Sequence, residues 1–192
     1  RMANRRAVVT GASSGIGEAA VRALRAAGWD VVGVARRAAR LEALDAEIGS
    51  QSYAADLTSE ADVAALAAHL EDTGPVHALV HIAGGARGTQ RVENGDPDDW
   101  RWMFEVNVLS AQLVTAALLP LLRRAAEVDG HADTVYVTST AAQTAYPGGA
   151  GYNAAKAGEA MLVHALRLEL NGEPIRVVEV APGMVQTEEF SL

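Results

Sequence analysis

The sequence predicts a doubly wound α/β fold, a parallel sheet with helices on both faces, in one domain covering residues 1–192. Three observations predict it. Short runs rich in β-branched residues alternate with longer stretches of helical periodicity along the whole chain. Glycines stand where the helical stretches stop, and a glycine-rich turn follows the first apolar run. Strands separated each time by a helix form right-handed βαβ units, which build parallel sheets.

The elements follow in order. Ala7 to Thr10 reads as a buried strand, and the helix after it carries Ile16, Ala20, Leu24 and Ala27 on one face before Gly28 ends it. Val31 to Val34 is the second strand; Leu41, Leu44 and Ile48 mark the second helix, capped by Gly49. Gln51 to Ala55 is a weaker third strand. Ser59 is an N-cap candidate for a helix facing inward through Val63, Leu66 and Leu70. His77 to Ile82 is the fourth strand, entering a loop at Gly84-Gly85. A long helical region follows, with Val106, Leu109, Leu113, Leu118 and Leu121 apolar and Pro120 expected to kink or end it. Thr134 to Thr138, then a helix from Tyr152 to Leu170, then Ile175 to Val180 complete the alternation.

Composition narrows the function. A chain of 192 residues, 49% hydrophobic, suits one domain with a sizeable core. Cysteine is absent, which removes disulfides and thiolate metal sites, and the five histidines show no ligand spacing, so no metal is expected. A formal net charge of −8 argues against a nucleic-acid partner. No apolar run approaches a membrane span and no signal-peptide pattern opens the chain, so a soluble cytoplasmic protein without a membrane partner is expected.

The turn Thr10-Gly11-Ala12-Ser13-Ser14-Gly15-Ile16-Gly17 lies between the first strand and first helix, where a dinucleotide pyrophosphate binds in Rossmann-type folds. Glycines let the backbone approach the phosphates, and the helix N-terminus offers unpaired N–H groups. At the end of the second strand an acidic residue would favour NAD; here Ala35 is followed by Arg36 and Arg37. Arginine suits the 2′-phosphate of NADP, Arg36 foremost, so NADP(H) is the expected cofactor.

Tyr152 and Lys156 stand four apart on a predicted helix and share a face. An ammonium beside a tyrosine favours its phenolate, so Tyr152 is expected to give a proton to a carbonyl or take one from an alcohol. Ser139, at the end of the fifth strand, can hydrogen-bond the substrate oxygen. Lys156 is the single lysine among sixteen basic residues, which makes an incidental pairing a poor account.

With these motifs the chain resembles the short-chain dehydrogenase/reductases, in their compact single-domain branch, from Thr10 to Thr187. The resemblance implies a catalytic set of Asn107, Ser139, Tyr152 and Lys156, with Asn107 at a local helix irregularity, holding a water that links Lys156 to solvent. It implies cofactor contacts at Gly11, Ser13, Ser14, Gly15, Ile16, Gly17, Arg36, Arg37, Asp56, Leu57, Ala83, Gly84, Tyr152, Lys156, Pro182, Gly183 and Thr187. Asp56-Leu57 matches the family's adenine-contacting step, and Thr187 the nicotinamide carboxamide contact. Two departures stand out. His81-Ile82 replace the family's Asn-Asn before Ala83-Gly84, so weaker bracing of the strand ends is expected. The chain also stops at Leu192, so the family's C-terminal strand and substrate lid are expected to be missing from it.

Ala35-Arg36-Arg37 with Arg40-Leu41, the Tyr146-Pro147-Gly148-Gly149 loop and Thr187-Glu188-Glu189-Phe190-Ser191 resemble most the branch acting on serine and other 3-hydroxy acids. Arg87 is the cation placed to meet a carboxylate, against an ordinary solvated loop arginine as the plainer reading. The expected function is hydride transfer between NADP(H) and a small alcohol or carbonyl substrate, with 3-hydroxy acids among the candidates. The alternative is an NADP-binding regulatory protein without catalysis. A sugar epimerase or dehydratase would also use Tyr and Lys, but on a differently spaced glycine turn. The surplus apolar positions on the helices around Leu109–Leu122 and Met161–Leu170, with the resemblance, imply a homodimer or homotetramer.

Overall fold

The computed structural model describes residues 5–187, so Glu188 to Ser191 of the substrate-branch resemblance lie outside the described residues. The strands are β1 Arg6–Thr10, β2 Asp30–Ala35, β3 Gln51–Ala54, β4 Ala78–His81, β5 Ala132–Val137 and β6 Ile175–Val180. They form one sheet in the order β3-β2-β1-β4-β5-β6, and every pair is parallel. The order reverses between β1 and β4, which opens a crevice at the carboxyl ends of the strands. Strand β1 is buried along its whole length, as a central parallel strand requires.

The helices are α1 Gly15–Ala26, α2 Ala38–Ile48, α3 Glu60–Thr73, α4 Pro97–Phe104, α5 Ser110–Asp129 and α6 Ala150–Glu169. Ser59 caps α3, its hydroxyl accepting from the Asp62 N–H at 3.2 Å. Gly49 closes α2 at φ 69°, a conformation that favours glycine. The core is two-layered about the sheet. Val8, Val34, Leu66, Leu118, Tyr136 and Val163 pack on one face; Val9, Val21, Val31 and Leu41 pack on the other. Adjacent Val8 and Val9 thus serve opposite layers, as the twofold period of a strand dictates.

One expectation is narrowed and another corrected. Pro120 does not lie near the end of α5, which continues to Asp129. Pro120 and Ala116, whose carbonyl loses its helical partner, are both exposed, so water can satisfy the freed group. Secondly, helix runs without a break from Pro97 to Asp129, and this 33-residue span is long and apolar enough to cross a membrane by length and composition. Scattered charges divide the segment, so no unbroken apolar run marks it in the sequence. Its residues Val114, Leu118 and Leu122 are fully buried in the protein core.

Candidate active site

The turn after β1 is built around glycine. Gly11 sits at φ 67°, and a side chain there would press on the Ala83 backbone at 3.0 Å. A Cβ on Gly17 would overlap the Gly11 carbonyl, so α1 can pack this close to the turn only without one. Ser14 is the N-cap of α1, whose first turn lies at the crevice with the positive end of the helix dipole, where backbone N–H groups can meet an anion. This cradle fits a pyrophosphate. Thr187 lies over it, its methyl within 3.2 Å of where a Gly15 side chain would start.

Around the turn, both arginines singled out in the sequence act on nearby groups. Arg37 donates to Ser13 Oγ at 3.1 Å and Ser14 Oγ at 2.8 Å, so its guanidinium is fixed on the glycine turn. Arg36 bears electrostatically on Asp56. The Asp56 carboxyl is held below its ordinary range, first by hydrogen bonds from the Thr58 hydroxyl and N–H and then, more weakly, by Arg36. Leu57 is buried in the core, so its side chain supports this corner from below. Pro182 and Gly183 follow β6, and the Pro182 carbonyl accepts from Thr140 N–H at 3.0 Å, which ties this segment to Ser139 and its turn.

The four catalytic candidates come from three elements. Asn107 is fully buried in a π-helical turn, Glu105–Leu109, between α4 and α5, the irregularity the resemblance implied. Its amide donates to Gly85 O and Met103 O, both at 2.8 Å, while Oδ1 accepts from Gly85 N–H at 3.2 Å. The space above Gly84 is shared by Asn107 Oδ1 and Lys156 Nζ, which both approach the point a side chain there would occupy. Ser139 begins the short helical turn Thr140–Ala142, its hydroxyl accepting from Ala141 N–H at 3.1 Å. Ser139 also bears on the Tyr152 hydroxyl, acting to lower it. Asn153 donates to Ala141 O at 2.8 Å and Thr144 O at 3.1 Å, fastening the start of α6 to the loop that carries Ser139.

Burial and a carboxylate, as well as the Tyr152–Lys156 spacing, shape the electrostatics of this group. Burial pushes the Tyr152 hydroxyl above its ordinary value; Ser139 works against this, and the carboxylate of Glu159 adds to it. Lys156, 4% exposed, donates to Glu159 Oε2 at 2.7 Å and to Val137 O at 3.4 Å. Burial raises the Glu159 carboxyl and Lys156 pulls it back down. The sequence reading missed Glu159 and Asn153. The available signal for Glu159 was its place three residues after Lys156, on the same helix face.

His81 has a partner of its own. Its Nδ1 pairs with Thr10 Oγ1 at 3.0 Å, and the same oxygen accepts from Ile82 N–H at 2.9 Å and Ala83 N–H at 3.1 Å. The strand ends are therefore braced through Thr10 despite the lost asparagines. Burial, and secondarily the Lys156 ammonium, push His81 down to about 3. The folded protein keeps this ring neutral, whereas an unfolded chain protonates it below about 6.5. Stability is full above that value and falls as pH decreases, by about 1.4 kcal/mol for each unit below ~6. Urea midpoints measured from about pH 7 down to about pH 5 should fall more steeply for the wild type than for His81→Asn. Equal slopes would contradict this.

Beside Tyr152 a cleft is lined by Arg87, Gln90, Asp99, Trp100 and Met103. Arg87 is not simply solvated: its guanidinium stacks on the Trp102 ring, 3.9 Å from the centroid.

A glycine-cradled helix end at the crossover of a parallel sheet, with a Ser-Tyr-Lys group beside it, defines a Rossmann-type nucleotide-dependent oxidoreductase architecture. The sequence profile described as short chain dehydrogenase matches residues 5–191, and the chain belongs to that family. It is 52% identical over 187 residues to an uncharacterised oxidoreductase of Mycobacterium tuberculosis, covering 97% of this chain and 71% of that protein. It is 37% identical over 184 residues to serine 3-dehydrogenase of Rhizobium radiobacter, covering 94% and 72% of the two chains. Among solved structures, the closed form of serine dehydrogenase complexed with NADP+ superposes with a TM-score of 0.89 at 30% identity, covering 95% of this chain and 74% of that one.

Proposed function

We propose that this protein transfers a hydride between NADP(H) and a small alcohol or carbonyl compound, with Tyr152 as the acid/base. The observation that carries the reading is the meeting of Ser139, Tyr152, Lys156 and Asn107 at the sheet edge that also holds the glycine cradle. The bound nicotinamide supplies the hydride chemistry. The turn Gly11–Gly17 would hold its pyrophosphate, with Ala83 and Gly84 allowing close approach of the ribose, and Pro182, Gly183 and Thr187 beside the nicotinamide end. Asp56 and Leu57 would shape the adenine end. Ser139 orients the substrate oxygen and stabilises the charge that develops on it, while Tyr152 donates or removes the proton there. Lys156 anchors the ribose side and supplies positive charge next to the phenol.

Arg36 and Arg37 support NADP(H) over NAD(H), since a guanidinium pairs well with a phosphate. Replacing either with aspartate should weaken NADPH binding roughly tenfold to a hundredfold while changing NADH binding little. Dissociation constants for both cofactors decide it, and equal affinities in the wild type would contradict the assignment. A 3-hydroxy acid is the substrate class this reading favours. Arg87 is held on Trp102 at the cleft that Tyr152 lines, where a cation can take a carboxylate. The relatives named for serine dehydrogenation, and one from Shigella flexneri named as an NADP-dependent 3-hydroxy acid dehydrogenase at 32% identity, add weight to that class. A screen of 3-hydroxy acids against simple alcohols and sugars, followed by NADPH absorbance, tests the choice. A homodimer or homotetramer belongs to the same reading, because Phe104, Leu109, Met161 and Leu168 present apolar side chains outward on the α4–α6 side. So does a cytoplasmic location.

A further inference from the structure

We propose that Glu159 is a positioning residue of this site: its buried carboxylate holds the Lys156 ammonium and acts on Tyr152, setting the pH at which Tyr152 gives and takes its proton. The inference rests on the acid/base reading of Tyr152 above. Glu159 is fully buried and Lys156 nearly so, and the two join through a 2.7 Å ion pair between residues three apart on α6. A buried carboxylate is costly to keep unless it is paired and hydrogen-bonded. Yet Glu159 Oε1 has no hydrogen-bond partner among the described residues. The carboxylate is therefore only half satisfied, and its attraction falls on Lys156.

The surrounding groups reinforce this. On β6, Glu179 accepts from Thr138 Oγ1 and His164 Nε2, at 2.7 Å and 2.8 Å, and its charge opposes ionisation of Glu159. On β5, the Tyr136 hydroxyl pairs with Thr115 at 2.7 Å and is pushed up, by burial first and by Glu159 last. On β4, His81 stays neutral. Against α6 from the other side lie the uncharged Trp100, Met103 and Val108, while Arg87, Asp96 and Asp99 line the cleft with Tyr152, which bears electrostatically on Tyr146. Lys156 is thus the cation set against Glu159 itself. An ammonium engaged by Glu159 is less available to stabilise a phenolate, and the carboxylate's own charge repels one. In a buried site both effects are screened by salt much less than at the surface.

Glu159→Gln keeps the shape and one hydrogen-bond acceptor for Lys156 but removes the charge. The direct readout is the phenolate absorbance of the cofactor-free protein, wild type minus Tyr152→Phe, which isolates the titration of Tyr152. The wild type should titrate above about 10, and Glu159→Gln should move that midpoint down by about one unit. The pH–rate limb of kcat/KM should move down with it. If Glu159→Gln lowered activity at all pH values and left both midpoints in place, the residue would be a structural strut and the proposal overturned. A wild-type Tyr152 midpoint below about 10 would overturn it with no variant needed. An active Tyr152→Phe protein would instead defeat the acid/base reading itself, an outcome the absorbance titration does not depend on.

Discussion

Tyr152→Phe should bind NADPH as the wild type does and lose about a hundredfold to ten-thousandfold in turnover. The ring is largely enclosed, bordered by Ser139 and by the cleft of Trp100 and Met103, so phenylalanine fills the same space. Only the hydroxyl is removed, and with it the group that exchanges a proton with the substrate oxygen. Ser139 keeps the Ala141 N–H as its partner, so the local loop should hold. Steady-state kinetics with cofactor affinity measured separately reads the effect. Retention of more than roughly a tenth of the activity would remove Tyr152 from its role.

Lys156→Arg should also be severe, although the charge is kept. The ammonium sits where only 4% of the residue is exposed, between Glu159, the Val137 carbonyl and the space above Gly84 that Asn107 shares. A guanidinium is planar and larger, and forcing it into a packed site displaces its neighbours. Gly84 and Asn107 would move first, and both lie on the cofactor side. A loss on the order of a hundredfold in kcat/KM is expected, the usual scale for displacing a reacting group by about an ångström. Turnover near the wild-type level across the pH range would show that positive charge alone suffices.

Much of this was readable in the chain because the signals are local. The β-branched run Ile175–Val180 is a strand with the same bounds in the structure, and Ser59 and Gly49 cap the helices they punctuate. The glycine turn and the Tyr152–Lys156 spacing carry their chemistry in a few consecutive residues. What the sequence hid depends on burial and on partners distant along the chain. The spacing of Glu159 from Lys156 suits a solvated helix pair as well as a buried one, yet the fold buries it completely. The Tyr152–Lys156 spacing therefore carried no sign that the ammonium also hydrogen-bonds Glu159. His81 read as a lost brace because its bond to Thr10 spans 71 positions. Arg37 turned back onto Ser13 and Ser14 for the same kind of reason: the contact joins β2's end to a turn 24 and 23 residues earlier.

The most direct test of the central claim is isotopic. Full-length protein is incubated with NADPH deuterated at the transferring position of the nicotinamide and with a set of small carbonyl compounds that includes 3-oxo acids. The account predicts that one deuterium appears on the carbinol carbon of a product for each NADPH oxidised, and that Tyr152→Phe suppresses this while still binding the cofactor. Tight NADPH binding with no label transferred to any carbonyl in the set would contradict it, and would mark the protein as a binder of the nucleotide rather than an enzyme that uses it.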